Sequence, residues 1–207
     1  MKYRIFILSF ICVLSGTALY GCGQKQAEEC PEGISLLPMY GRVQKCKDQL
    51  KSDERFLALT DKEEPDRAVA AIKVMDTGWY YLHQGDYDTD MKRMNQAWLL
   101  DSTNVAIYAS FAVILDLTDK TDEAIEMLDL TFEMIDKRED PEEPTQMNPS
   151  NKMFTDFIVS NAPFTYKKTK NSALGKYLYK KLDSLNISEP DNAAWKDKLK
   201  LGIPDLP

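Results

Sequence analysis

The stretch DTGWYYLHQGDYDTDMKRMNQAWLLDSTN, residues 76–104, decides which fold the sequence predicts. Apolar residues recur at helical spacing on both sides of a polar turn, residues 83–87, which contains Gly85. The stretch also contains His83, the single histidine of the chain. It is therefore either part of a catalytic site or one unit of a structural repeat.

The residues that follow this stretch repeat its pattern. Residues 71–104 align with residues 105–138 at an offset of 34 residues. Each unit consists of an apolar helix, a polar turn and a second apolar helix. Small residues align with small ones and large with large, in the pairs Gly78–Ala112, Tyr81–Leu115, Met94–Leu128 and Trp98–Phe132. Because residue sizes agree at several positions with one period of 34 residues, the sequence favours a structural repeat over a catalytic segment.

The repeated unit resembles the tetratricopeptide repeat (TPR). The first unit has the small residues, aromatic residues and turn glycine of that family at Gly78, Tyr81, Gly85, Tyr87 and Ala97. The second unit matches the family at Tyr108, Ala112, Ala124 and Leu128. The departures are Asp90 and Thr131 in place of alanines, and Ser102 in place of a proline. The resemblance implies an all-α fold, in which antiparallel helical hairpins stack as a short TPR-like solenoid with capping helices.

The residues before the repeats are predicted to form a tether and one helix. Residues 22–37 are polar and contain glycine and proline, which is typical of a flexible tether. Apolar spacing predicts a helix over residues 39–59. A polar connector follows at residues 61–66, in which Pro65 suits the first turn of the next helix. The helical domain is therefore expected to span residues 38–207.

The C-terminal part is predicted to form a degenerate repeat and cap over residues 151–201. A charged, proline-bearing loop over residues 139–150 separates it from the second repeat. Pro163 is expected to interrupt a helix over residues 152–160. Two more helices are expected at residues 172–185 and 193–201. They are needed because two repeats alone would leave apolar faces exposed.

The amino terminus predicts the compartment. Lys2 and Arg4 precede an apolar run over residues 5–19, and Leu-Tyr-Gly-Cys follows, with Cys22 as its last residue. The run is shorter than the ~20 residues that cross a bilayer, so it predicts a signal peptide over residues 1–21. The sequence around Cys22 resembles the lipobox of bacterial lipoproteins. The resemblance implies that the Cys22 thiol receives a diacylglycerol and that the signal peptide is removed. An ordinary signal peptide is the alternative.

Lipidation would place the protein in the cell envelope. The residue after Cys22 is Gly23, not the aspartate that retains many such lipoproteins in the inner membrane. The resemblance therefore implies an anchor in the outer membrane, on its periplasmic or surface side. Acyl chains on one cysteine anchor a protein stably, because each buried methylene contributes about 0.8 kcal/mol.

The charge of the chain restricts its partners. The net charge is −7, and it becomes −9 when Lys2 and Arg4 are removed with the signal peptide. Such acidity argues against nucleic acid and against anionic lipid surfaces as partners. Besides Cys22, the mature part has Cys30 and Cys46. A disulfide between them suits an oxidising compartment, but free thiols are equally compatible with the sequence.

The sequence contains no pattern that predicts catalysis. One histidine cannot build a His-rich metal site, and no arrangement of serine, cysteine and acid around His83 indicates a nucleophile. Phosphate-binding, dinucleotide-binding and metalloprotease motifs are absent from the sequence. Paired carboxylates are common, as expected for a solvated acidic surface. No enzymatic activity, metal, cofactor or small-molecule substrate is therefore expected.

The TPR resemblance implies a concave groove lined by the first helix of each repeat. Its candidate partner-binding residues are Trp79, His83, Val113 and Asp116, with Trp79 as the anchor. The positions that clamp a carboxylate terminus in cochaperone members hold Met75, Trp79 and Ser110 here, so that function is not implied. The mostly apolar groove either receives a partner or is filled by the C-terminal helices. We favour filling by the protein itself, since an exposed apolar groove is a liability.

The sequence therefore predicts a non-catalytic protein-binding or scaffold module anchored in the envelope through Cys22. One alternative is an immunity-type or inhibitor protein that occludes a toxin or hydrolase, with the acidic residues 136–143 as a plug for a basic active site. Another is an accessory subunit of a cell-wall enzyme. The sequence does not identify the protein partner.

Overall fold

The computed structural model describes residues 29–136, 149–185 and 188–207. Within these residues the chain is helical and has no strand, which confirms the predicted all-α class. The predicted signal peptide, Cys22 and most of the acidic loop lie outside the described residues. The α-helices are α1 (Lys47–Glu63), α2 (Arg67–Gln84), α3 (Tyr87–Leu100), α4 (Val105–Leu117), α5 (Thr121–Asp136), α6 (Pro149–Thr169), α7 (Ala173–Lys181) and α8 (Glu189–Gly202).

Helices α2 and α3 form the first packed pair. Asp66 caps α2 by accepting hydrogen bonds from the amides of Ala68 and Val69. Gly85, with φ of 81°, ends α2 in the left-handed conformation that glycine adopts without strain. Asp86 then caps α3 through the amide of Thr89, at 3.1 Å. Two residues thus reverse the chain, and α2 packs along α3.

Helices α4 and α5 form the second pair, and α4 lies at the centre of the domain. The Asn104 side chain caps α4 through the amide of Ala106, at 3.0 Å. Every residue of α4 except Ala106 is buried, because α3, α5 and α6 all pack against it. Phe111 of α4 and Phe132 of α5 are among the largest fully buried side chains. The repeat offset found in the sequence thus relates two helix pairs that share one core.

The predicted helix over residues 39–59 is wrong at its start, because α1 begins at Lys47. Met39, Tyr40 and Arg42 have φ near +54°, which no right-handed helix allows. Asn95 of α3 imposes this path. Its Nδ2 donates to the carbonyls of Ser35 and Leu37 at 3.0 and 2.9 Å, and its Oδ1 accepts from the Tyr40 amide at 3.1 Å. Contacts with a distant helix therefore override the local apolar spacing.

The disulfide holds the start of α1 to the residues before it. Cys30 and Cys46 are bonded, with their Cα atoms 5.1 Å apart. Gln49 Oε1 accepts from the Cys46 amide at 3.2 Å, and its Nε2 donates to the Pro31 carbonyl at 2.7 Å. Ile34 is buried. Residues 30–37, which the sequence assigns to a flexible tether, are thus attached to the domain.

Pro163 does not interrupt its helix, contrary to the prediction. Helix α6 continues from Pro149 to Thr169 with Pro163 inside it. An internal proline costs about 3 kcal/mol in an isolated helix. Here α6 packs against α4 and α8, and Ile158, Val159 and Ala162 are buried in the core. Pro163 itself lies so close to Gly202 that a Cβ there would clash. Packing therefore outweighs the proline.

Candidate functional site

The predicted groove residues Trp79, His83, Val113 and Asp116 lie on one surface. Together with Ser110 they define what we call the α2/α4 surface. Helix α6 covers it. The Trp79 and Phe157 rings meet edge to face with centroids 5.4 Å apart. The Trp79 indole Nε1 donates to Ser110 Oγ at 3.1 Å, and Ser110 Oγ donates to the Ala106 carbonyl at 2.8 Å. Trp79 thus joins α2 to α4 and also supports α6.

His83 is exposed, and its ring contacts are aromatic. Its ring centroid lies 5.7 Å from that of Phe164 in α6 and 6.0 Å from that of Trp79. No hydrogen bond or ion pair of His83 appears among the described residues. This position near the end of α2 suits a side chain that lines the contact with α6.

Asp116 is the carboxyl of the α2/α4 surface, and it is fully buried. Its Oδ1 accepts from the hydroxyl of Thr121 at 2.8 Å, and Asn171 donates to that hydroxyl, also at 2.8 Å. Asp116 Oδ2 is buried without a hydrogen-bond partner among the described residues. Burial raises the pKa of Asp116, and the nearby hydroxyls of Thr165 and Thr121 offset part of this effect. Of the two, Thr121 donates to the carboxyl, whereas Thr165 donates to the Ala162 carbonyl at 3.0 Å.

Val113 completes the surface and is buried, at 4% exposure. The structure therefore brings Trp79, His83, Val113 and Asp116 together on neighbouring helices, beneath or beside α6. Of the two alternatives for the groove, coverage by the chain's own C-terminal helix is the arrangement in the structure. The start of α2 is less covered, since Ile72, near the N-terminal end of that helix, is 46% exposed.

Asp90 is a second buried carboxyl, at a position where the TPR resemblance leads one to expect alanine. It lies where α2 and α3 cross, so close to Gly78 that a Cβ there would lie 2.7 Å from Asp90 Oδ1. Neither carboxyl oxygen has a hydrogen-bond partner among the described residues. Burial, with a smaller contribution from the charge of Asp86, raises the pKa of Asp90 to about 7. Asp90 is thus poised to titrate near neutral pH.

A pocket of about 580 Å³ lies between the disulfide-bonded segment, α1 and α3. Its charged groups are partly paired with one another. Lys45 Nζ lies 2.5 Å from Asp53 Oδ2 and 3.0 Å above the centre of the Tyr40 ring. Burial, followed by the nearby Asp53 charge, raises the pKa of Tyr40. These contacts explain how the segment is held and do not identify a ligand.

Within residues 29–136, 149–185 and 188–207, no three His, Cys, Asp or Glu side chains come together in a way that could hold a metal ion. In the same part of the chain, no helix combines the length and apolarity that a membrane span requires.

No protein-family model matches this chain, and no curated protein or solved structure matches it either. The all-helical fold and the α2/α4 surface are therefore the basis for any proposal about its function.

Proposed function

We propose that the protein is an envelope-anchored, TPR-like lipoprotein that acts as a non-catalytic protein-binding or scaffold module. In this proposal the α2–α3 and α4–α5 pairs are two stacked repeats of a short solenoid, and the chain is attached to the outer membrane through lipidated Cys22. The observation that carries the proposal is that the α2/α4 surface, which contains buried polar groups, holds a helix, α6, through edge-to-face contacts between aromatic rings.

The chemistry of this surface supports binding. Trp79 offers a half-buried aromatic face whose indole nitrogen is already satisfied by Ser110. Such a side chain can exchange one apolar neighbour for another without losing its hydrogen bond, which is a common property of binding anchors. The Cys30–Cys46 disulfide is consistent with an oxidising envelope compartment.

One experiment tests both the anchor and the binding role. Cells producing wild type or Cys22→Ala are labelled with a palmitate analogue, their envelopes are cross-linked, and the protein is purified. We expect the wild type to carry the label and a discrete cross-linked protein. Cys22→Ala should carry neither, because it lacks the acylated residue and the membrane location. Equal labelling of both proteins would contradict the anchor, and a labelled wild type with no cross-linked protein would contradict the binding role.

A further inference from the structure

Helices α4 and α6 pack against each other, and both carry buried polar side chains. Ser110 and Asp116 lie on α4, Thr155 and Thr165 lie on α6, and each is at most 1% exposed. Across the contact, the Thr165 hydroxyl acts on the Asp116 carboxyl. Permanent interfaces are generally more apolar, whereas polar groups are common where two surfaces also exist apart. The composition of this interface therefore suits a contact that opens and closes.

Helix α6 also has packing partners that do not belong to the α2/α4 surface. Asp156 of α6 accepts hydrogen bonds from Trp195 Nε1 at 3.1 Å and from Lys198 Nζ at 2.8 Å. At the other end of this contact, Pro163 packs against Gly202. Helices α6 and α8 are thus held together by their own contacts. A movement of α6 away from α4 would leave this second interface intact.

Asp116 lies where α4, α5 and α6 meet. The groups that act on its carboxyl are the charge of Asp119 in the following turn and the hydroxyls of Thr121 and Thr165. His83, the titratable group that α2 presents to α6, lies against Phe164 instead. Since α4 and α5 form an extensive pair, we expect movement of α6 to be the easiest way for water to reach an ionised Asp116.

We propose that the α2/α4 surface is a helix-binding site whose resident occupant is α6, and that ionisation of Asp116 favours release of α6. The partner class is a helix with two aromatic side chains seven residues apart, as Phe157 and Phe164 are on α6. Their contacts with Trp79 and His83 define that spacing. This inference rests on the proposed binding function, and it names both the partner class and the control of the site.

The direction of the pH effect follows from the buried carboxyl. The pKa of Asp116 is raised when α6 is closed, and it returns toward its ordinary value when water reaches the carboxyl. The closed state therefore binds the proton more tightly than the open state. Closure is favoured at low pH and is progressively lost as pH rises from the open-state pKa through the closed-state pKa.

Amide hydrogen exchange of α6, corrected for intrinsic exchange rates, tests this inference over a pH series from about 4, near the ordinary pKa of an aspartate, to about 8. Across the whole series we expect the protection of α6 to fall by up to about tenfold for each pH unit that separates the open and closed pKa values of Asp116. Asp116→Asn should remove this pH dependence, because the amide does not titrate. The inference would be overturned if the protection of α6 did not change with pH. It would also be overturned if Asp116→Asn showed the same pH dependence as the wild type.

Asp90→Asn is the matched control, because it removes the other buried carboxyl at the α2–α3 crossing, away from α6. It should leave the pH dependence of α6 in place. If Asp90→Asn and Asp116→Asn change α6 equally, α6 opens only by unfolding of the whole domain, and the inference fails. The experiment uses neither the anchor nor a partner, so its failure is distinguishable from failure of the proposed function.

Discussion

Asp90→Ala is expected to stabilise the protein by on the order of 2–4 kcal/mol at pH 8 and by much less at pH 5. The wild-type carboxyl is buried without a hydrogen-bond partner among the described residues. Its folded-state pKa is about 7, against about 3.9 in an unfolded chain, and this difference corresponds to about 4 kcal/mol against the ionised form. The cavity left by alanine reduces the gain somewhat.

The pH profile distinguishes this explanation from a general packing effect. Because the folded pKa is raised, the folded state holds the Asp90 proton when the unfolded state has lost it. The contribution of Asp90 to stability therefore falls as pH rises from about 4 through about 7 and is constant above that range. Urea unfolding at several pH values should show that the gain from Asp90→Ala grows over this window.

Asp88→Ala provides a control, since Asp88 is an exposed carboxylate in the first turn of the same helix. It should change stability only slightly and without the same pH profile. If Asp90→Ala destabilised the protein by the same amount at pH 5 and pH 8, Asp90 would not be the buried, unpaired acid that the structure describes.

Removal of the disulfide is expected to have the second large effect. The double variant Cys30→Ser with Cys46→Ser should lose about 3 kcal/mol of stability, because the bond closes a loop of 16 residues. The loss should be greatest around residues 30–37 and the start of α1, since no side chain of α1 is fully buried. Urea unfolding and hydrogen exchange measure the two effects.

Reduction of the wild type provides the control for the serine substitutions. The reduced wild type should unfold at the same urea concentration as the double variant, and the double variant should not respond to reductant. An unchanged midpoint for the reduced wild type would show that Asn95, Gln49 and the packing of Ile34 hold the segment without the bond.

The sequence predicts the two central helix pairs well because their determinants are local. Asp66, Gly85 and Asn104 are capping or turn residues at the helix ends, and Gly78 leaves the space that lets α3 approach α2. The path of residues 38–42 could not be predicted in this way. It depends on hydrogen bonds from Asn95, which is 55 residues from Tyr40 in the chain. Continuation of α6 through Pro163 likewise depends on α4 and α8.

The candidate site was predicted in part. The TPR resemblance selected Trp79, His83, Val113 and Asp116, and the structure places them on adjoining helices. Helix α6 was one of two candidate occupants, because amphipathic spacing shows that a helix has an apolar face but not which surface receives it. The sequence does not predict the burial of the Asp90 and Asp116 carboxyls, for a related reason. A carboxyl in a helical repeat is usually solvated, and only the packing of neighbouring helices reveals its burial.

Binding of a helix to the α2/α4 surface is most directly tested with a labelled peptide of residues 149–169, the sequence of α6. The full chain is titrated into it at pH 8, and fluorescence anisotropy is followed. We expect saturable binding of the native peptide, and at least about tenfold weaker binding of a peptide carrying Phe157→Ala and Phe164→Ala, since two aromatic anchors are lost. Equal affinity for the two peptides, or no binding of either, would contradict a helix-binding role.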